Sequence, residues 1–380
     1  MEFGLDTAVA YGNACETTID VDGETLVVTF APDPHGGPET LWFRFRLRRR
    51  GDADPEGDVT RIRLVLKHAY NMLGGNDLLT MRPVVRTEAV GWKRLPMGTT
   101  HDLADGRSQV AWTVDAPEDY LDIAYCYPYG MDEIELLLEE TDGYWRPDTI
   151  GASQSARPLV RLSNSYGEEN GQRPGLYLLA RQHAGEVSGS WVLDGFLRHI
   201  ATLGDDAPLV WAVPLTNIDG VEQGDYGKDN FPYDLNRAWG RPPMRHEVLV
   251  FQNDMRRWRD RCKPVLGIDF HAPGACESSG VYAYIPDPNV DRAAHDVVKS
   301  WSDRTQATLS PKYAAEDFAR VARYPSRWET PSFRSYGWYQ LGVPCITYEN
   351  PYAMVGDHVL TIEDYREIGA RIAKGVVGAL

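Results

Sequence analysis

Two hydrophobic rhythms divide the chain. In the first third, apolar residues alternate with polar ones or form short runs: Thr25 to Phe30, Leu41 to Leu47, Thr60 to Leu66 and Gln109 to Val114. Clusters of glycine, proline and aspartate separate these segments, which predicts an antiparallel β-sandwich. Tyr120 to Tyr129 predicts one more aromatic strand. The texture changes between Tyr144 and Arg157. Beyond it, buried-strand runs alternate with stretches of helical period. Strands are expected at Leu159–Ser163, Leu176–Ala180, Leu209–Pro214, Pro264–Phe270 and Pro344–Tyr348. Helices are expected at Ser188–Ile200, Arg245–Arg261, Arg292–Thr305 and Ile362–Val377. This is the pattern of an α/β fold with a mixed, largely parallel sheet flanked by helices. The expected division is 1–143 for the sandwich and 144–380 for the α/β part, and 380 residues suit two domains.

Composition narrows the function classes. A formal charge of −16 argues against nucleic-acid binding, which leaves a basic footprint. The one dense basic run, Arg44 to Arg50, lies on an alternating segment and reads as a solvated strand face. Five cysteines without a CxxC pair suggest a reducing compartment. The start Met1–Asp6 lacks the basic and apolar regions of a secretory leader. No window approaches the roughly 18 apolar residues of a membrane span. The expectation is a cytoplasmic protein with neither nucleic-acid nor membrane partners.

Candidate chemistry collects at the ends of apolar strands, where open α/β sheets bind ligands. Gly175–Ala180 runs into Arg181-Gln182-His183-Ala184-Gly185-Glu186, a His-x-x-Glu pair on a tight strand-to-helix connection. Leu266–Phe270 ends in His271. Cys345–Tyr348 ends in Glu349, and a carboxylate seldom follows a buried strand without a partner. Asn236-Arg237 suits a carboxylate, since guanidinium binds one bidentately. Each piece has a plain alternative: a chance His-x-x-Glu, a satisfied core histidine, a helix-capping asparagine, a structural ion pair. Their joint placement on strand ends is the stronger signal. A catalytic zinc takes three nitrogen or oxygen ligands, and hydrolysis further needs a base and a cation for the oxyanion.

The segment Ala180–Glu186, followed by Ser190-Trp191-Val192 and Gly195-Phe196-Leu197, resembles the zinc carboxypeptidases of the carboxypeptidase A clan, most closely the cytosolic carboxypeptidase branch. Asp234-Leu235-Asn236-Arg237, Asp269-Phe270-His271 and Tyr348-Glu349 fall in that family's order. Ile150–Leu162 is similar to its entry into the catalytic domain, and Trp42–Phe45 and Tyr127–Tyr129 to its accessory sandwich. The clan is the type case of the two-His, one-Glu zinc site, so the ligand set comes from the resemblance. It implies a carboxypeptidase-like catalytic domain with zinc on His183, Glu186 and His271. It further implies Asn236 and Arg237 on the substrate carboxylate, and Glu349 as general base and then acid. Where the family usually carries an arginine before the Asn-Arg pair, this chain reads Tyr226-Gly227-Lys228-Asp229, leaving Lys228 as the cation for the oxyanion. The tyrosine that closes over the substrate corresponds to Tyr324 or Tyr336. Arg334 falls at the bottom of the side-chain pocket, where a basic residue favours an acidic C-terminal side chain; a surface arginine is the alternative.

The reading that follows is a zinc-dependent metallocarboxypeptidase acting on peptides with a free carboxylate. A second is an amidohydrolase or deacylase on a small carboxylate-bearing amide. A third is a non-catalytic carboxylate-binding module, against which the intact ligand trio and Glu349 speak. Trp145, Trp239, Trp328 and Trp338 are candidates for lining a groove, although aromatic residues near a pocket more often pack in the core.

Overall fold

The computed structural model describes residues 3–50, 59–228, 234–322 and 331–380. Up to Ala124 the strands form two five-stranded sheets. They pack face to face through Phe30, whose ring meets Phe43 at 5.0 Å and Phe45 at 4.7 Å. One pair departs from the antiparallel expectation: Thr25–Ala31 runs parallel to Arg61–Leu66. Between them the chain crosses to the opposite sheet as Arg44–Arg49 and returns, so the second strand enters in the direction of the first.

From Arg146 onward the strands build an eight-stranded sheet. Its order is Arg146–Ala152, Pro158–Ser163, Leu209–Val213, Pro174–Ala180, Lys263–His271, Cys345–Glu349, Val281–Ile285 and Ala314–Val321. The four middle strands, from Leu209–Val213 to Cys345–Glu349, are mutually parallel. Their carboxyl ends therefore emerge together, with Ala180 beside Phe270 and His271 beside Glu349.

Helices cover both faces. On one, Phe196 of Val187–Ala201 meets Phe270, and Tyr348 donates to Thr305 Oγ1 of Arg292–Leu309 at 2.9 Å. On the other, Tyr177 packs on Trp258 and donates to Asp254 of His246–Arg259. Val187–Ala201 crosses Ile362–Val377 through Gly195 and Gly369. A Cβ on Gly369 would stand 1.9 Å from the Val192 carbonyl oxygen, and one on Gly195 would stand 2.1 Å from that of Arg366. Both obstacles are backbone, so the helices would have to separate. Gly369→Ala is expected to destabilise by about 1–3 kcal/mol net, despite alanine's helix propensity. Denaturant unfolding reads this directly, and an unchanged midpoint would mean that the crossing relaxes freely.

The predicted elements of the second part are present to within a few residues, and the closing helix has its expected bounds. The helix Met131–Glu140 was not anticipated. It buries Ile134 and Leu137, and its first turn is closed by the Gly130 amide donating to Glu133 Oε2 at 2.7 Å. The strands Arg146–Ala152, Val281–Ile285 and Ala314–Val321 were also missed; the first and last are sheet edges whose polar residues break the apolar run. The basic run is more tightly held than a solvated face. Arg44 is buried with its guanidinium over Tyr11 and Trp92, and Arg46 and Arg86 both grip the buried Asp122. Trp145 and Trp239 are buried rather than groove-lining, and Trp338 donates to Asp291. Trp328 lies outside the described residues. Among the described residues no helix is long and apolar enough to cross a membrane.

Candidate active site

The strand Pro174–Ala180 ends in a forced turn. Arg181 adopts φ 65°, a left-handed conformation that is uncommon for a side chain of its kind and is found where surrounding contacts fix it. Its buried guanidinium supplies those contacts, donating to the Ala184 carbonyl at 2.5 Å and to that of Tyr129 at 3.0 Å. The turn places His183 and Glu186 just ahead of the helix Val187–Ala201. On the next strand, the two-residue period puts Asp269 and His271 on one face while Phe270 points to the other. Glu349 lies directly across the ladder from His271.

Among the described residues, His183, Glu186 and His271 bring one potential ligand atom each to within 4.8 Å of one another, all buried. The Nδ1 of His183 is 2.8 Å from Glu186 Oε1, and that of His271 is 2.7 Å from Oε2. The other ring nitrogens also face carboxylates: His183 Nε2 lies 3.2 Å from Asp234 Oδ1, and His271 Nε2 lies 2.7 Å from Asp269 Oδ2. An imidazole that donates from Nε2 to an aspartate presents a lone pair at Nδ1. Two such lone pairs aimed at one carboxylate repel it unless a cation lies between them or both rings are protonated. Four buried carboxylates (Glu186, Asp234, Asp269, Glu349) surround the two imidazoles. The donor set therefore fits a divalent ion, and the aspartates fix the tautomer as outer-shell partners of metal-bound histidines do.

Electrostatics follow the same layout. Burial disfavours a charged His183, but Glu186 and Asp234 outweigh it and raise its pKa to about 9. Burial would likewise raise Glu186, yet the two imidazoles hold it far below the usual carboxylate range. Glu349 behaves oppositely: burial pushes it up to about 7, against the pull of His271 and Lys228. Its Oε2 is buried, and among the described residues nothing donates to it. A cation at the trio would draw Glu349 back toward the ionised form.

These residues form the floor of one cleft of about 1350 Å3. Asn236, Arg237, Lys228, Arg334 and Glu349 all line it together with His183, Glu186 and His271. Asn236 Oδ1 accepts from the Phe333 amide at 3.3 Å. Its Nδ2 lies 3.1 Å from His271 Nε2, but that ring proton belongs to the nearer Asp269 carboxylate. Arg237 donates to the Asn236 carbonyl, Arg334 donates to that of Tyr284 at 3.0 Å, and Lys228 Nζ lies 3.9 Å from Glu39. Tyr336 does not face the cleft: it is fully buried against Trp239, which excludes it as the closing tyrosine. Tyr324 lies outside the described residues.

Sequence reasoning passed over the supporting shell. Gln182 Nε2 donates to Asp269 Oδ2 at 2.5 Å, and Trp239 Nε1 donates to Gln182 Oε1 at 2.8 Å. This buried chain links the two ligand-bearing segments through Asp269. Tyr226 reaches Glu186 at 3.5 Å. Asp269 had a readable signal, two residues before His271 on a strand. Gln182 and Trp239 had none.

No family model matches the chain. It is similar to cytosolic carboxypeptidase 2 of Danio rerio, with 27% identity over 290 residues, 68% of this chain and 39% of that protein. Against cytosolic carboxypeptidase 2 of Homo sapiens the identity is 24% over 296 residues, 71% of this chain and 32% of that protein. The chain thus spans well under half the length of these relatives. Among solved structures, the metallo-carboxypeptidase from Burkholderia cenocepacia superposes with a TM-score of 0.77 at 18% identity, covering 100% of this chain and 98% of that one. The metallo-carboxypeptidase from Pseudomonas aeruginosa gives 0.73 at 18% identity, covering 99% and 98%. By sequence the chain is similar to the cytosolic carboxypeptidases, and by structure it shares the fold of the metallo-carboxypeptidases.

Proposed function

We propose that this chain is a zinc-dependent carboxypeptidase that removes the C-terminal residue of a peptide. The observation that carries the reading is the convergence of His183, Glu186 and His271, each imidazole backed by an aspartate, beside a Glu349 carboxylate oxygen to which nothing donates among the described residues. Zinc, when bound, supplies Lewis acidity to the scissile carbonyl and to the attacking water. Asn236 and Arg237 hold the terminal carboxylate and set the position of the last peptide bond. Glu349 takes the proton of the attacking water and returns it to the leaving amine. Lys228 contributes positive charge near the oxyanion, without the fork of an arginine. The 1–143 segment is proposed as an accessory domain and 144–380 as the catalytic one. A cytoplasmic location belongs to the same proposal, on the names of the relatives and five cysteines without a disulfide.

Arg334 is proposed to pair with an acidic side chain on the departing residue, since it lines the cleft next to Phe333, which touches Asn236. The test is metal analysis of the purified protein followed by hydrolysis of peptides that differ only at the last residue. Arg334→Ala is expected to lower the preference for glutamate over leucine about tenfold or more, the scale of a lost charge-assisted contact. An unaltered preference removes Arg334 from specificity. The second reading, an amidohydrolase on a small carboxylate-bearing amide, draws on Lys228 standing where the family carries arginine. Turnover of N-acyl amino acids without turnover of peptides would establish it instead.

A further inference from the structure

Residues preceding Gly130 bond the segments that flank His183, Lys228, His271 and Glu349. Beyond Ala180, Arg181 donates to the Tyr129 carbonyl. Near Lys228, Asn13 Nδ2 donates to the Gly224 carbonyl at 2.8 Å and His35 Nδ1 lies 2.6 Å from Asp225. Beyond Glu349, the Cys126 thiol donates to the Tyr352 carbonyl at 3.4 Å. Three more bonds follow His271. The Ala275 amide donates to the Leu73 carbonyl at 2.7 Å, the Cys276 amide to that of Gly74 at 3.2 Å, and Tyr125 to that of Ala275 at 2.7 Å. Gly74 sits at φ 70°, and a Cβ there would stand 2.7 Å from Gly274 Cα. Two backbones therefore touch, as glycine alone permits.

This contact carries Leu73, Gly74, Asn76 and Asp77 into the wall of the cleft, next to Pro273 and Cys276. Asn76 and Asp77 are exposed there. The carboxylate end of the cleft is marked by Asn236, bonded to Phe333 beside Arg334. Ala272, Pro273, Gly274 and Cys276, which follow His271, line the same cleft as the trio, with Leu73 and Gly74 bonded to Ala275 and Cys276.

On the carboxypeptidase reading, we infer that Leu73–Asp77 forms the subsite for residues upstream of the cleaved bond. The Asn76 amide and Asp77 carboxylate hydrogen-bond the substrate backbone there, so the enzyme favours peptides of three or more residues over dipeptides and blocked amino acids. Asn76 and Asp77 are specificity residues contributed by the strand-rich first part, and none of the metal ligands is touched by changing them.

The experiment is the double variant Asn76→Ala with Asp77→Ala, assayed with zinc content and unfolding midpoint on peptides of two to five residues sharing the same last two. For the unaltered protein, kcat/KM is expected to rise with length. In the variant the rise disappears: kcat/KM falls about 5- to 30-fold on the tetrapeptide and less than about twofold on the dipeptide, with zinc retained. An equal loss at every length, or none at any length, overturns the inference. If the unaltered protein cleaves all lengths equally, the inference fails and the carboxypeptidase reading stands. If it cleaves no peptide at all, both fail.

Discussion

Glu349→Gln is expected to leave a protein that binds one zinc ion per chain and turns over about 10²–10⁴-fold more slowly, the usual contribution of a positioned general base. In free energy this is about 3–5 kcal/mol on the chemical step. The substitution keeps volume and hydrogen-bonding shape, so it separates proton transfer from packing. Two features point to a large effect. Burial raises the Glu349 carboxyl to about 7 before a cation is bound, and a cation at the trio returns it to the ionised form that accepts a proton. Among the described residues nothing donates to its Oε2. The measurement is metal stoichiometry alongside kcat on one peptide. A variant with more than half the original kcat would show that another group accepts the proton.

His271→Ala is expected to abolish both metal binding and activity. Losing an outer-shell partner costs roughly 10–100-fold in metal affinity, and losing a ligand costs more. The change also strips Asp269 and Glu186 of the imidazole both face. Asp269 would keep only Gln182, deep in the protein. Breaking a buried pair by removing one partner costs about 3–5 kcal/mol, so the variant is expected to unfold more readily as well. Competition with a chelator measures affinity, and denaturant unfolding measures stability. Zinc bound as tightly as in the unaltered protein would show that the ion is not held by this trio.

How much of this was legible beforehand differs by element. The catalytic sheet announced itself because buried parallel strands are unbroken apolar runs, and a residue at the end of such a run emerges at the sheet's carboxyl edge. His271 and Glu349 could be placed at that edge from the sequence alone. Edge strands such as Ala314–Val321 carry polar residues on their outer side, so their pattern dissolves into that of a loop. Trp145 and Trp239 pack inward, the commoner fate of such aromatics. Sequence left this open because an indole has the same context whether it packs inward or outward. Tyr336, a candidate for the cleft by sequence, packs its ring against Trp239 in the core.

The chain's order of residues determined which groups stand at strand ends and which strands are buried, because hydrophobic period and strand length are local properties. It also carried the likeness to the cytosolic carboxypeptidases. Folding alone decided that Asp234 backs His183, that Gln182 and Trp239 brace Asp269, and that Leu73–Asp77 reaches the cleft. Those pairings join residues 51, 57 and 87 positions apart or put distant loops side by side. No local pattern encodes such contacts, since their free energy comes from groups that meet only after the sheets and helices have packed.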